Sequence, residues 1–203
     1  MHRITTRFSR TALVVVIALT ALTALSLVTA SCSKSADTGT IVDPINTQTF
    51  VFEVEYINYA WGYRHYGIYV DNTGGVFSYD RKGVQYRRDD KTPLTEKSLM
   101  DKYTNVQRIG TVDQATLANK FALSQRIVSE LSTPVTRCAD AGTWTFWAYT
   151  KGSATSEGNT VYEQTLLHRA GDFLQTNRAQ PAQELTTWLR TLDSRLTSLP
   201  CEN

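Results

Sequence analysis

The chain has 203 residues, 41% of them hydrophobic and 20% charged, with 21 Lys+Arg against 19 Asp+Glu. That composition excludes a fibrous or low-complexity chain and leaves room for one domain with a sizeable core. Outside residues 1–31, which hold three arginines and no acid, 18 basic and 19 acidic residues remain, a near-neutral balance that argues against nucleic acid or an anionic membrane surface as partner.

Residues 1–31 read as a targeting segment. Arg3, Arg7 and Arg10 form a basic head, Ala12–Leu19 is the strongest apolar run, and small residues close a more diluted stretch from Thr20 to Val28. Thr29-Ala30-Ser31-Cys32 then resembles the signal of bacterial lipoproteins, which commonly reads Leu-Ala-Gly-Cys. Ala30, Ser31 and Cys32 match, while Thr29 stands where an aliphatic residue is usual. The resemblance implies cleavage before Cys32, a lipid with acyl chains such as palmitate on that cysteine, and an extracytoplasmic domain held on the cell envelope. Ser33 follows the cysteine in place of the acidic residue that some bacteria use for inner-membrane retention, which favours the outer membrane where one exists. Two alternatives remain. Arg10 and Lys34 bracket 23 uncharged residues, enough for an uncleaved transmembrane anchor. Val28-Thr29-Ala30 also approaches an ordinary signal-peptidase site, which would give a secreted chain.

Residues 32–48 are small and polar, and read as a flexible tether to a single domain over 49–203. Phe50–Tyr59 alternates, with Phe50, Phe52, Val54 and Tyr56 on one parity and Glu53 and Glu55 on the other, the pattern of a half-buried strand. Tyr66–Asp71, Val76–Asp80 and a short Val84–Arg87 continue it as a meander, separated by turn residues at Asn72–Gly75 and Arg81–Gly83. Pro93 opens a short helix over Leu94–Tyr103, and Thr104–Gly110 is an extended connector. Thr111 and Gln114 fit a capping box for a helix over Val112–Leu131. Thr143–Thr150 and Thr160–Arg169 form a second hairpin around a polar loop, with Trp144, Phe146 and Ala148 sharing a parity. A last helix starts at Pro181, with Leu185, Trp188, Leu189, Leu192 and Leu196 along one face. The expected fold is therefore α+β: an antiparallel sheet of two meander or hairpin units, packed by about three helices on one side.

Cysteines number three, Cys32, Cys138 and Cys201. A lipid on Cys32 leaves an even pair, and an oxidising compartment favours a bridge between Cys138 and Cys201. His65 and His168 lie about a hundred residues apart with no metal-ligand spacing, so neither a metal nor a cofactor is expected. No nucleophile elbow or glycine-rich phosphate motif occurs. Glu53 and Glu55 have a spacing compatible with acid/base work, but the simplest reading is a solvated strand face.

The one concentration of recognition chemistry is Tyr59-Ala60-Trp61-Gly62-Tyr63-Arg64-His65-Tyr66. Tyr59, Trp61, Tyr63, Arg64, His65 and Tyr66 are the candidate partner-binding residues, since flat rings beside cationic side chains hold sugars or protein partners. The same rings could instead wrap the core. The leading expectation is a lipid-anchored envelope protein that binds another protein or a glycan. The alternatives are a hydrolase pairing His65 or His168 with Glu53, Glu55 or Asp140, and a structural envelope lipoprotein without a defined ligand.

Overall fold

The computed structural model describes residues 44–89 and 91–202; the leader, Cys32 and the first part of the expected tether lie outside the described residues. Its strands are β1 (Phe50–Asn58), β2 (Arg64–Asp71), β3 (Gly75–Asp80), β4 (Leu94–Thr95), β5 (Gln107–Thr111), β6 (Val135–Thr136), β7 (Thr143–Ala154), β8 (Thr160–Gly171) and β9 (Phe173–Thr176). Its helices are α1 (Glu96–Lys102), α2 (Gln114–Ser124) and α3 (Gln180–Arg190). The strands form one antiparallel sheet in the order β5-β3-β2-β1-β7-β8-β9-β6, with β4 beside β8. Two meanders, β1-β2-β3 and β7-β8-β9, thus join along β1 and β7, and the expected α+β architecture stands. Ile45 and Gln48 already pack with this domain: Ile45 is buried, and the Gln48 side chain donates to the Phe50 and Tyr149 carbonyls.

Period-two alternation sorts the sheet into two faces. Phe52, Val54, Tyr56, Ile68, Trp144 and Phe146 face α2 and α3, where Leu117, Phe121, Leu185 and Leu189 complete the main core. Phe50 breaks the expected parity. A register shift between Phe50 and Phe52 places Phe50 in a second cluster with Tyr79, Leu99, Tyr103, Tyr149 and Tyr162 on the opposite face. α1 covers that second face, so the helices lie on both sides of the sheet and not on one.

Three local expectations shift for identifiable reasons. Val84–Arg87 forms no strand, because Arg81 ties it elsewhere: its guanidinium donates to the Val84 carbonyl and to the Asp101 and Lys102 carbonyls at the end of α1. The edge beside β3 goes instead to β5, which starts in the expected connector and runs one residue past it to Thr111. α2 begins after Asp113, whose carboxylate accepts from the Thr116 amide, and not with a Thr111/Gln114 box. It ends at Ser124, short of Leu131, since the following segment turns out to bridge Asn177 and meet β9 at Ser132.

α1 is only seven residues long, yet both ends are fixed. Thr95 and Ser98 make a reciprocal capping box, and Arg81 satisfies its terminal carbonyls. Its length covers the sheet from Tyr149 and Tyr162 to Glu53. Beyond Glu55, the half-buried Ile57 and Thr143 and the buried Thr145 line a hollow that α1 does not fill. Among the described residues no helix is long and apolar enough to cross a membrane.

Candidate functional site

Burial on the second face is not purely apolar. Glu53 is 0% exposed and Glu55 8%, so the expected solvated carboxylate face is an interior one. The reason is Lys102, which α1 lowers onto both. Its Nζ lies 2.8 Å from the Glu53 carboxylate and 2.7 Å from Glu55 Oε2. Tyr79 and Tyr149 donate their hydroxyls to Glu53, the former at 2.6 Å. Tyr79 reaches across Gly67, its cross-strand partner, where a Cβ would lie 3.1 Å from the Tyr79 hydroxyl and collide with the β1 backbone. Glycine at 67 therefore lets β1 and Tyr79 approach.

Glu55 sits at the boundary between this cluster and open space. Trp147 donates its indole N–H to Glu55 Oε1 at 2.8 Å, and His65 Nε2 lies 3.1 Å from Oε2. Donors and acceptors align in one chain: the Tyr86 amide to the Tyr63 hydroxyl, that hydroxyl to His65 Nδ1, and His65 Nε2–H to Glu55. Burial alone would raise the Glu55 carboxyl, but the Lys102 ammonium, with help from His65, overrides it and holds the group well below the carboxylate range. Burial would likewise lower the Lys102 ammonium, and the two glutamates outweigh it and push it up. Burial, then the negative charge of Glu53, keeps the Tyr79 and Tyr149 hydroxyls protonated far beyond the usual phenol value.

The strip beside this cluster is concave. Two adjoining hollows of about 530 and 380 Å³ share Glu55, Ile57, Tyr59, Trp147 and Arg169. These volumes lie in the range of small-molecule sites. Register explains the shape. Glu55, Thr145 and Arg169 form one row across β1, β7 and β8, and Ile57, Thr143 and Gly171 form the next. Short side chains make the floor, and Trp147, Tyr59 and Phe173 stand around it. A wider groove of about 820 Å³ lies near Tyr66 and Asp80, but its Asp193 and Arg195 already pair with each other.

The aromatic loop divides between surface and interior. Tyr59 is 64% and Trp61 75% exposed, Tyr59 on the rim of the cleft. Arg64 is exposed as well. Tyr63 and His65 turn into the second face as described, and Tyr66 packs on the first, against Tyr56 and Trp144. Core wrapping thus holds for Tyr63, His65 and Tyr66, while Tyr59, Trp61 and Arg64 are left at the surface.

Of the histidine–carboxylate pairs considered for a hydrolase, the fold brings together His65 and Glu55. His168 meets neither Asp140 nor the other two glutamates; it pairs with Glu202 at 2.8 Å, while Thr176 Oγ1 lies 3.2 Å from its Nδ1. Arg190 also grips Glu202. Asp140 sits exposed on the cleft edge. Among the described residues no three His, Cys, Asp or Glu side chains gather as metal ligands would. Cys138 and Cys201 stand at disulfide distance, with Cα atoms 6.1 Å apart.

Lys102, Trp147 and Arg169 were not singled out from the sequence. A signal existed for Lys102, three residues after Leu99 and hence on the buried side of α1, and for Trp147, on the opposite parity to Trp144 and Phe146. Arg169 carried none, since a lone arginine in a strand reads as solvent-facing. No protein-family model, curated protein or solved structure matches the chain.

Proposed function

We propose that this chain is a lipid-anchored, extracytoplasmic binding protein that takes a small polar ligand in the cleft beside Glu55. The observation that carries the reading is the cleft itself: two joined hollows over a floor of short side chains, with Trp147 fixed by Glu55 and Tyr59 on the rim. Such a combination of flat apolar walls and a few oriented polar groups suits ring-shaped polar molecules, envelope glycan fragments among them. Catalysis at Glu55 has little support. A carboxylate held so far below its usual range is a poor proton donor and a weak base, and both His65 nitrogens are engaged. The test is a thermal-shift and tryptophan-fluorescence titration of the full chain against neutral and charged sugars and amino acids. The reading requires saturable binding that Ile57→Trp, which fills the cleft, abolishes; binding that survives Ile57→Trp would move the site elsewhere.

A hydrolytic second reading has one observation in its favour, the alignment Thr176–His168–Glu202. Burial lowers the His168 pKa, which suits a neutral base, but Arg190 shares the Glu202 carboxylate that would orient it. Turnover of p-nitrophenyl acetate that disappears in both Thr176→Ala and His168→Ala would support this reading, and equal rates in wild type and variants would end it.

A further inference from the structure

Resting on the cleft reading above, we infer that the ligand is an anion, a small carboxylate on a flat or ring-shaped body, with Arg169 as its counter-charge. Arg169 projects from β8 between Thr145 on β7 and Gln175 on β9, is partly buried, and lines both hollows. Its guanidinium has no hydrogen-bond or ion-pair partner among the described residues. Other cations held in or against the fold are compensated. Lys102 has Glu53 and Glu55, Arg81 has three carbonyls, Arg190 has Glu202, Arg195 has Asp193 and Lys120 has Glu184. A guanidinium carries five donors in a planar fork, and partial burial makes leaving them unpaired costly.

Two of the three carboxylates that line the larger hollow with it are already committed. Glu55 receives Lys102, His65 and Trp147, and Asp172 receives the backbone amides of Ala141 and Gly142. Asp140 stays exposed at the edge of the hollow and makes no ion pair with Arg169, so among the described residues the guanidinium is left open to a counter-group from solution. The same acids select among anions. Glu55, Asp140 and Asp172 all line the larger hollow, so a doubly charged phosphate meets more repulsion there than a singly charged carboxylate. A carboxylate also matches the guanidinium fork with two parallel hydrogen bonds. The body of the ligand would lie against Trp147, Tyr59 and Phe173, whose rings leave the choice between a sugar acid and an aromatic acid open to experiment.

The test titrates the full chain in detergent micelles with glucuronate and benzoate, their neutral counterparts glucose and benzyl alcohol, and phenyl phosphate. Saturable binding of glucuronate identifies a sugar acid, and of benzoate an aromatic acid. Either should weaken by at least about tenfold in Arg169→Gln and recover in part in Arg169→Lys, with circular dichroism unchanged. Binding of neither acid, equal binding of the acids by Arg169→Gln, or tighter binding of phenyl phosphate than of benzoate overturns the inference. Neutral compounds that bind as well as the acids, and lose binding in Ile57→Trp, would leave the cleft reading in place and remove the anion.

Discussion

Lys102 Nζ lies 2.7 Å from Glu55 Oε2, and the two side chains are only 6% and 11% exposed. The same ammonium holds Glu53, which is wholly out of water. One lysine from a seven-residue helix thus compensates two carboxylates on the central strand. Removing it leaves both without a cation in a low-dielectric setting, and such losses cost about 3–5 kcal/mol. Lys102→Met should therefore lower the urea-denaturation free energy at neutral pH by about that amount. Adding Glu53→Gln and Glu55→Gln to the same variant should restore much of it, because the uncompensated charges go too. A loss below about 1 kcal/mol in the single variant would mean that water reaches the cluster.

The same pairing sets the acid limb of stability. The folded Glu55 carboxyl titrates well below its ordinary value of 4.5, so between these limits the unfolded chain binds the extra proton. Stability from this group is complete above that ordinary value and falls as the pH drops through the window beneath it. Glu55→Gln should be less stable than wild type near neutrality and show a flatter acid limb. On the alkaline side the sign reverses. Tyr79 and Tyr149 titrate well above their ordinary 10.0 when folded, so above that pH the unfolded chain loses protons first and stability declines. Denaturation midpoints across the pH range check both slopes.

How far the sequence reveals this site depends on what kind of signal each part leaves. The β1-β2-β3 meander, the β7-β8 hairpin and the helix bearing Leu185 and Leu189 were legible because alternation and helical spacing are local, whereas the short β9 was not. The faces were legible too, except at Phe50, where a bulge that no residue type announces changes the parity. Glu53 and Glu55 read as solvated because alternation with Phe52 and Val54 says only that they face away from the main core. Whether that other side is water or a second core depends on α1, and on Lys102 arriving 49 residues later in the chain. The cleft follows from what α1 fails to cover, which is a property of helix length against strand length and not of any motif.

The aromatic loop should separate cleanly under substitution. Trp61 touches little, so Trp61→Ala should change stability by less than about 0.5 kcal/mol. Tyr63→Phe removes the hydroxyl between the Tyr86 amide and His65 Nδ1, leaving a buried imidazole nitrogen and an amide to find new partners, at about 1–3 kcal/mol. Thermal denaturation of the two variants side by side is the check. Equal effects would contradict the division of the loop between surface and interior.

The proposed anchor makes a prediction about residue 32. Mass spectrometry of the mature protein should find the chain starting at a lipid-modified Cys32, and Cys32→Ala should leave the membrane fraction. A Cys32→Ala chain that stays membrane-bound with its leader intact would favour an uncleaved anchor. Lipidation also bears on the remaining thiols, since it leaves Cys138 and Cys201 as an even pair.

Those two cysteines are 63 residues apart in sequence and bring the C-terminal tail against the turn that borders the cleft. A bridge over that span removes about 4 kcal/mol of unfolded-state chain entropy. The tail has other attachments: Glu202 accepts from Arg190 and pairs with His168. If the bridge supplies the larger share, a Cys138→Ser/Cys201→Ser variant should lose about 2–5 kcal/mol, and wild type under reductant should match it. Glu202→Gln with the bridge intact should lose less, because Glu202 is partly exposed and its charge is screened. Hydrogen exchange along residues 138–142 should then rise in the double-serine variant and stay slow in Glu202→Gln. The opposite ranking would show that the ion pairs, and not the bridge, hold the tail in place.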